Sequence, residues 1–186
     1  MTVMRAAYPR VSYADLERAP EDGHRYELHN GEVLVVPSPV PRHQIVAQNL
    51  WRLLDAYASA HGGLAVIAPI DIVFSQYDVV QPDVVFFTAS RRHLVQLDAP
   101  IRHAPDLVVE VLSPATAATD RGRKMQMFAR YGVPEYWIVD PIAETIEICM
   151  LAETGYLPAQ EALALESVQS ATLPDLALHP SKVFPA

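Results

Sequence analysis

Two carboxylates sit in apolar segments that have no ordinary use for them. The run Asp106-Leu107-Val108-Val109-Glu110-Val111-Leu112 is apolar apart from its acids. In an extended chain Asp106, Val108 and Glu110 share one face, and Leu107, Val109 and Val111 the other. A lone carboxylate buried there costs on the order of several kcal/mol unless it is paired or binds a metal. Gln81-Pro82-Asp83-Val84-Val85-Phe86-Phe87 repeats the pattern, with Asp83 opening a strand just after a proline. If the two strands are neighbours, Asp83 and Glu110 stand side by side, and their repulsion calls for a divalent cation or a shared proton. Mg²⁺ suits such a pair, because it is held by one or two carboxylates and keeps waters for substrate phosphates. Asp106 lies about 13 Å from Glu110 along the same strand, too far to share one metal, and reads as structural.

The third element is Lys124. Four cationic residues, Arg121, Arg123, Lys124 and Arg130, fall between Asp120 and Tyr131 in a chain whose net charge is −8. A positive site beside paired carboxylates fits phosphoryl chemistry: the cation orients an attacking water and offsets charge building on phosphorus. The overall acidity works against gripping a polyanion over a broad surface, so any nucleic-acid contact is expected to be local and metal-assisted.

The elements that must position these groups follow from periodicity. Val11 to Leu16 reads as a short helix capped by Ser12 and ended before Pro20. Arg25 to Leu28 and Gly31 to Val36 read as a hairpin around His29-Asn30-Gly31. Ile45, Val46, Leu50, Leu53, Leu54 and Tyr57 recur at helical spacing and predict a long helix ending near Gly62-Gly63. Leu64 to Phe74, with Pro69 as a bend, Asp78 to Thr88 and Asp106 to Leu112 read as three strands. Asp120 to Tyr131 predicts a basic helix with Met125, Phe128 and Ala129 buried. Glu135 to Val139 and Thr145 to Leu151 read as two further strands. The order predicts an α/β (α+β) domain with a mixed central sheet and flanking helices. No Gly-rich phosphate loop is present, so Rossmann and P-loop readings find no support.

The 186 residues fit one domain, with a core over about 10–150 and a tail from 151 to 186 packing on the sheet. The single Cys149 can form no internal disulfide and reads as a buried hydrophobe. No signal peptide or membrane-spanning run is visible, and a reducing cytoplasm is the expected compartment. Trp137 reads as core rather than as a base-stacking platform.

Taken in order, several stretches resemble one family. They are Arg25-Tyr26-Glu27-Leu28 with Gly31-Glu32, His43 in the long helix, Gln81 to Phe86, Ala104-Pro105 running through Glu110 to Ser113-Pro114, and Gly132 to Asp140. The set resembles the bacterial Uma-two family of restriction-endonuclease-like proteins, a branch of the PD-(D/E)XK nuclease superfamily, over about Tyr13 to Phe184. The resemblance implies a restriction-endonuclease-like fold, here with an N-terminal β-hairpin extension. It implies Mg²⁺ or Mn²⁺ as cofactor and phosphodiester hydrolysis in DNA as reaction. Asp83 and Glu110 would hold the metal, and Lys124 would position the nucleophile. Glu27 joins the catalytic set because it lies in a matching stretch. His43, Arg121 and Arg123 would contact the nucleic acid. One departure is plain: the signature places a lysine two residues after Glu110, and Leu112 stands there, so Lys124 must serve from the helix. An alternative is a catalytically weak or inactive binding or assembly module on the same scaffold. A homodimer through a sheet edge or the N-terminal hairpin is also expected.

Overall fold

A computed structural model describes residues 9–157, 160–162, 169–176 and 178–185. Helix α1 (Tyr13–Glu17) begins at Ser12, whose backbone N–H and hydroxyl both donate to Asp15 Oδ2, at 2.9 and 2.6 Å. Strands β1 (Arg25–His29) and β2 (Glu32–Val36) form an antiparallel hairpin. Its two-residue turn needs positive φ at both central positions, and Asn30 (56°) and Gly31 (80°) supply it. The hairpin is part of a four-stranded sheet of order β2-β1-β5-β4, with β4 at Ile72–Ser75 and β5 at Asp78–Val80.

The larger sheet has seven strands. Its order is β10-β9-β8-β7-β6-β3, and β11 adds to β9. The strands are β3 (Leu64–Ile67), β6 (Val84–Phe87), β7 (Leu107–Val111), β8 (Glu135–Asp140), β9 (Thr145–Ala152), β10 (Gly155–Tyr156) and β11 (Gln160–Ala162). Among the described residues only its β7–β8 pair is parallel, which makes the sheet mixed. A parallel pair needs a long crossover, and the chain between residues 112 and 134 provides it.

Helices cover both faces. Helix α2 (Pro41–His61) starts with proline at its first position and ends at Gly62, whose φ of 76° turns the chain out of the helix. It buries Val46, Ala47, Leu50, Leu54 and Ala58 against Leu107, Val109, Val111, Trp137 and Val139. The helical run over residues 117–130, α3, packs Met127 and Phe128 against Val108, Tyr136 and Ile138 on the opposite face. Leu173, Leu178, Val183 and Phe184 of the tail join the α2 side, where Asn49 Nδ2 donates to the Val183 carbonyl at 3.0 Å. The rest of the tail assigned to the sheet, residues 158–159, 163–168, 177 and 186, lies outside the described residues.

Four expectations need correction. The strand over Leu64 to Phe74 is two strands in two sheets, and so is that over Asp78 to Thr88. Pro69 and Pro82 offer no N–H to a ladder, and at each the chain crosses from one sheet to the other. Ile45 points outward at 42% exposure, while His43 takes a buried place in the α2 stripe. Finally, α3 is not uniformly α-helical. An α turn (Ala117–Thr119) leads into a π turn (Asp120–Lys124) and then α-helix (Met125–Arg130). Asp120, Lys124, Met127 and Phe128 are its buried residues; of the expected Met125, Phe128 and Ala129, only Phe128 is buried.

Trp137 is fully buried, and its Nε1–H donates to Glu135 Oε1 at 2.6 Å. Cys149 is buried too, and burial pushes its thiol up to about 11. Among the described residues no helix is long and apolar enough to cross a membrane.

Candidate active site

The register of the larger sheet sets the first pair. Val84 stands across from Val109 at the end of the antiparallel β6–β7 ladder, and Asp83 and Glu110 are the next residues beyond that pair. Asp83 Oδ2 accepts the Val111 N–H at 2.8 Å and lies 3.3 Å from His43 Nε2 in the first turns of α2. Glu110 shares its face of β7 with Val108, the face that α3 covers.

Lys124 reaches Glu110 from that helix. Its Nζ lies 2.9 Å from Glu110 Oε1, 2.8 Å from Glu27 Oε1 on β1, and 3.6 Å from Asp120 Oδ1. The π turn carries both Asp120 and Lys124 among its buried residues, and such turns often mark functional sites. Glu27 is held further by His29 Nε2 at 3.1 Å and by the Gln81 N–H at 2.8 Å. Three elements from two sheets and one helix thus converge on one ammonium.

The charges do not balance. Glu27, Glu110, Asp120 and Lys124 are each at most 5% exposed, so bulk solvent screens them little. Burial works against the Lys124 cation, but Glu110, Glu27 and Asp120 together raise its pKa well above the usual lysine value. Burial also opposes ionisation of Glu27; Lys124, His29 and the Gln81 amide outweigh it and hold this carboxyl at about 2. Glu110 goes the other way. Burial raises it well above the ordinary carboxyl range, Lys124 opposes, and Asp120, Asp83 and Glu27 push it further up. Asp120 is raised for the same reasons, with burial first. One ammonium cannot neutralise three carboxylates, so Glu110 and Asp120 favour a proton or a further cation. At His43, burial disfavours the charged ring, but Asp83 reverses this and the net shift is upward.

These side chains line a cavity of about 230 Å³. His43, Asp83, Glu110, Asp120 and Lys124 contribute to its wall, with Arg25, Gln81 and Thr116 also lining it. Asp120, Arg25 and Gln81 were not singled out from the sequence. Asp120 precedes Lys124 by four residues in a predicted helix, a spacing that flags an ion pair. Arg25 and Gln81 lie in the motif-bearing stretches themselves.

Other expected site residues lie elsewhere. Arg121 donates twice to Glu147 on β9, once at 2.8 Å, and Arg123 donates to Glu32 at 2.8 Å. Neither lines this cavity, because the helix rotation that brings Lys124 inward turns both neighbours outward. Asp106 accepts from Arg91 at 2.5 Å and from the Thr88 N–H at 2.8 Å, which ties down a loop. Leu112, at the signature's lysine position, is a core residue.

Among the described residues no group of three or more His, Cys, Asp or Glu side chains is arranged to hold a metal ion. A zinc-type cage therefore does not fit. An all-oxygen site of two carboxylates completed by water does. Asp83 uses Oδ2 for Val111 and His43, and Glu110 uses Oε1 for Lys124, which leaves Oδ1 and Oε2 for a hard cation.

The family model described as "Uma2: Putative restriction endonuclease" matches residues 12–181. No curated protein matches the chain. Among solved structures, the chain is similar to a crystal structure described as a putative nuclease belonging to DUF820 from Anabaena variabilis. The TM-score is 0.77 at 18% identity, covering 94% of this chain and 97% of that one. At that identity the likeness speaks for the fold: a mixed central sheet flanked by helices, with the hairpin beside it.

Proposed function

The chain belongs to the Uma2 family, and from that premise we propose that it is a metal-dependent endonuclease hydrolysing phosphodiester bonds in DNA. The observation that carries the reading is the Lys124 ammonium, 2.9 Å from Glu110 in the cavity that Asp83 also lines. Asp83 and Glu110 would hold Mg²⁺ or Mn²⁺. When bound, such an ion polarises the phosphoryl oxygens and lowers the pKa of a coordinated water. Lys124 does not act as a base, since its neighbours keep it cationic. The N–H that it gives to neither Glu27 nor Glu110 would orient the attacking water, and its charge would offset negative charge on phosphorus. Glu27 positions Lys124. His43, favoured in its charged form by Asp83, holds that carboxylate through Nε2 at the cavity wall, and its Nδ1 is buried, so it positions Asp83 rather than donating to the phosphate.

The substrate is expected to meet this site locally, since the net charge of −8 disfavours broad contact with DNA. The same acidity, with a buried cluster already holding one internal cation, also favours a second reading, a binding or assembly module without chemistry. Purified wild type, Asp83→Asn and Lys124→Ala, each incubated with single-stranded, double-stranded and branched DNA and Mg²⁺ or Mn²⁺, separate the two. Cleavage by wild type and its loss in both folded variants supports the nuclease. No cleavage of any substrate, with no Mg²⁺ binding by calorimetry, supports the module.

A further inference from the structure

On the far side of Glu27 from the first cavity lies a second one, of about 330 Å³, between the hairpin turn and the outer face of α3. Arg123, Gln126 and Arg130 line it from the helix at spacings of three and four residues, and His29, Asn30, Glu32 and Asp78 from the small sheet, so two guanidiniums face two carboxylates. His29 is only 5% exposed. Its Nε2 is taken by Glu27, and its Nδ1 meets no protein partner.

Two guanidiniums stand at the opening, both more than half exposed. Among the described residues Arg123 is tied to Glu32, itself exposed, and such a surface pair holds its partners weakly. Arg130 lies 3.1 Å from Asp78. That carboxylate already accepts the Asn30 N–H at 2.8 Å, the Tyr131 hydroxyl at 2.7 Å and the Ser75 hydroxyl at 3.3 Å. Asp78 would stay satisfied without Arg130. Arg123 is thus free to turn to an incoming anion at little cost, and Arg130, more than half exposed, can meet one while keeping its contact with Asp78.

We propose that this second cavity binds a phosphate group, gripped by Arg123 and Arg130 above the buried His29 ring. Guanidinium forks match phosphate oxygens, and the Gln126 amide adds a neutral donor. The cavity also adjoins the first through one line of contacts, His29 to Glu27 to Lys124 to Glu110. The phosphate can be a free ion or part of a nucleic-acid strand. Only the second source rests on the nuclease reading.

Calorimetry with inorganic phosphate on the metal-free full chain tests the site without any cleavage. Saturable binding, weakened about tenfold or more by Arg123→Gln and by Arg130→Gln but retained in Asp83→Asn, is the expected result. Both arginines are more than half exposed, and circular dichroism of each variant checks that the fold is kept. No saturable phosphate binding, or binding lost in Asp83→Asn and intact in Arg130→Gln, overturns the proposal. A DNA oligonucleotide without terminal phosphates then distinguishes the sources. If Arg130→Gln weakens it as well, the ligand is a strand phosphate; if only inorganic phosphate responds, the ligand is the free ion, and either result supports the cavity. Phosphate binding without any DNA cleavage would uphold this site while removing the nuclease reading.

Discussion

Replacing Lys124 by methionine keeps the volume of the side chain and removes its charge. The ammonium lies 2.8 Å from Glu27 and 2.9 Å from Glu110, all three buried. Holding Glu27 at about 2 instead of its ordinary 4.5 contributes about 3 kcal/mol at neutral pH. Lys124 is the largest of the effects that lower it. Removing one partner of a buried pair costs about 3–5 kcal/mol, so Lys124→Met should lose about that much at pH 7. The pH dependence has a definite sign. In wild type the folded pKa of Glu27 is depressed, so its contribution is fully present above 4.5 and is lost as pH falls towards 2. In the variant the same carboxyl, buried without its cation, is raised and gains stability as pH falls. The gap between the two proteins should therefore narrow on acidification. Urea titrations followed by circular dichroism at pH 7 and at successively lower pH measure it. Equal stability at neutral pH, or a gap that does not change with pH, would refute the buried cluster.

Two other predictions follow from the same charges and from the fold. Burial raises the Glu110 carboxyl, so its proton competes with Mg²⁺: affinity should rise with pH, and the calorimetric heat should depend on the ionisation enthalpy of the buffer; a buffer-independent heat contradicts this. Val33 and Val35 lie exposed on the edge strand β2, and a homodimer formed there should become monomeric in Val35→Lys; a monomeric wild-type mass in light scattering sinks the idea.

The convergence of Asp83 and Glu110 was legible because each interrupts an apolar strand, and antiparallel neighbours place such residues opposite one another. Lys124 was legible as a cation in a helix that must pack on the same face. What local pattern does not carry is rotation and long-range pairing. The π turn shifts the buried stripe of α3, so Asp120 joins the cluster and Arg121 and Arg123 leave it, and no 3.6-residue period announces that. Alternation marks Asp78 to Thr88 as extended but does not say that the chain changes sheets at Pro82. Glu27 entered through family resemblance, because a single acid in a hairpin strand does not reveal that the strand belongs to a second sheet laid beside Lys124.

The most direct test of the central claim is a crystal of the protein soaked in Mn²⁺ and measured at a wavelength where manganese scatters anomalously. The account predicts a peak bonded to Asp83 and Glu110, with Lys124 still beside Glu110. A saturating soak with no peak at these carboxylates, or with the metal held elsewhere, would contradict it.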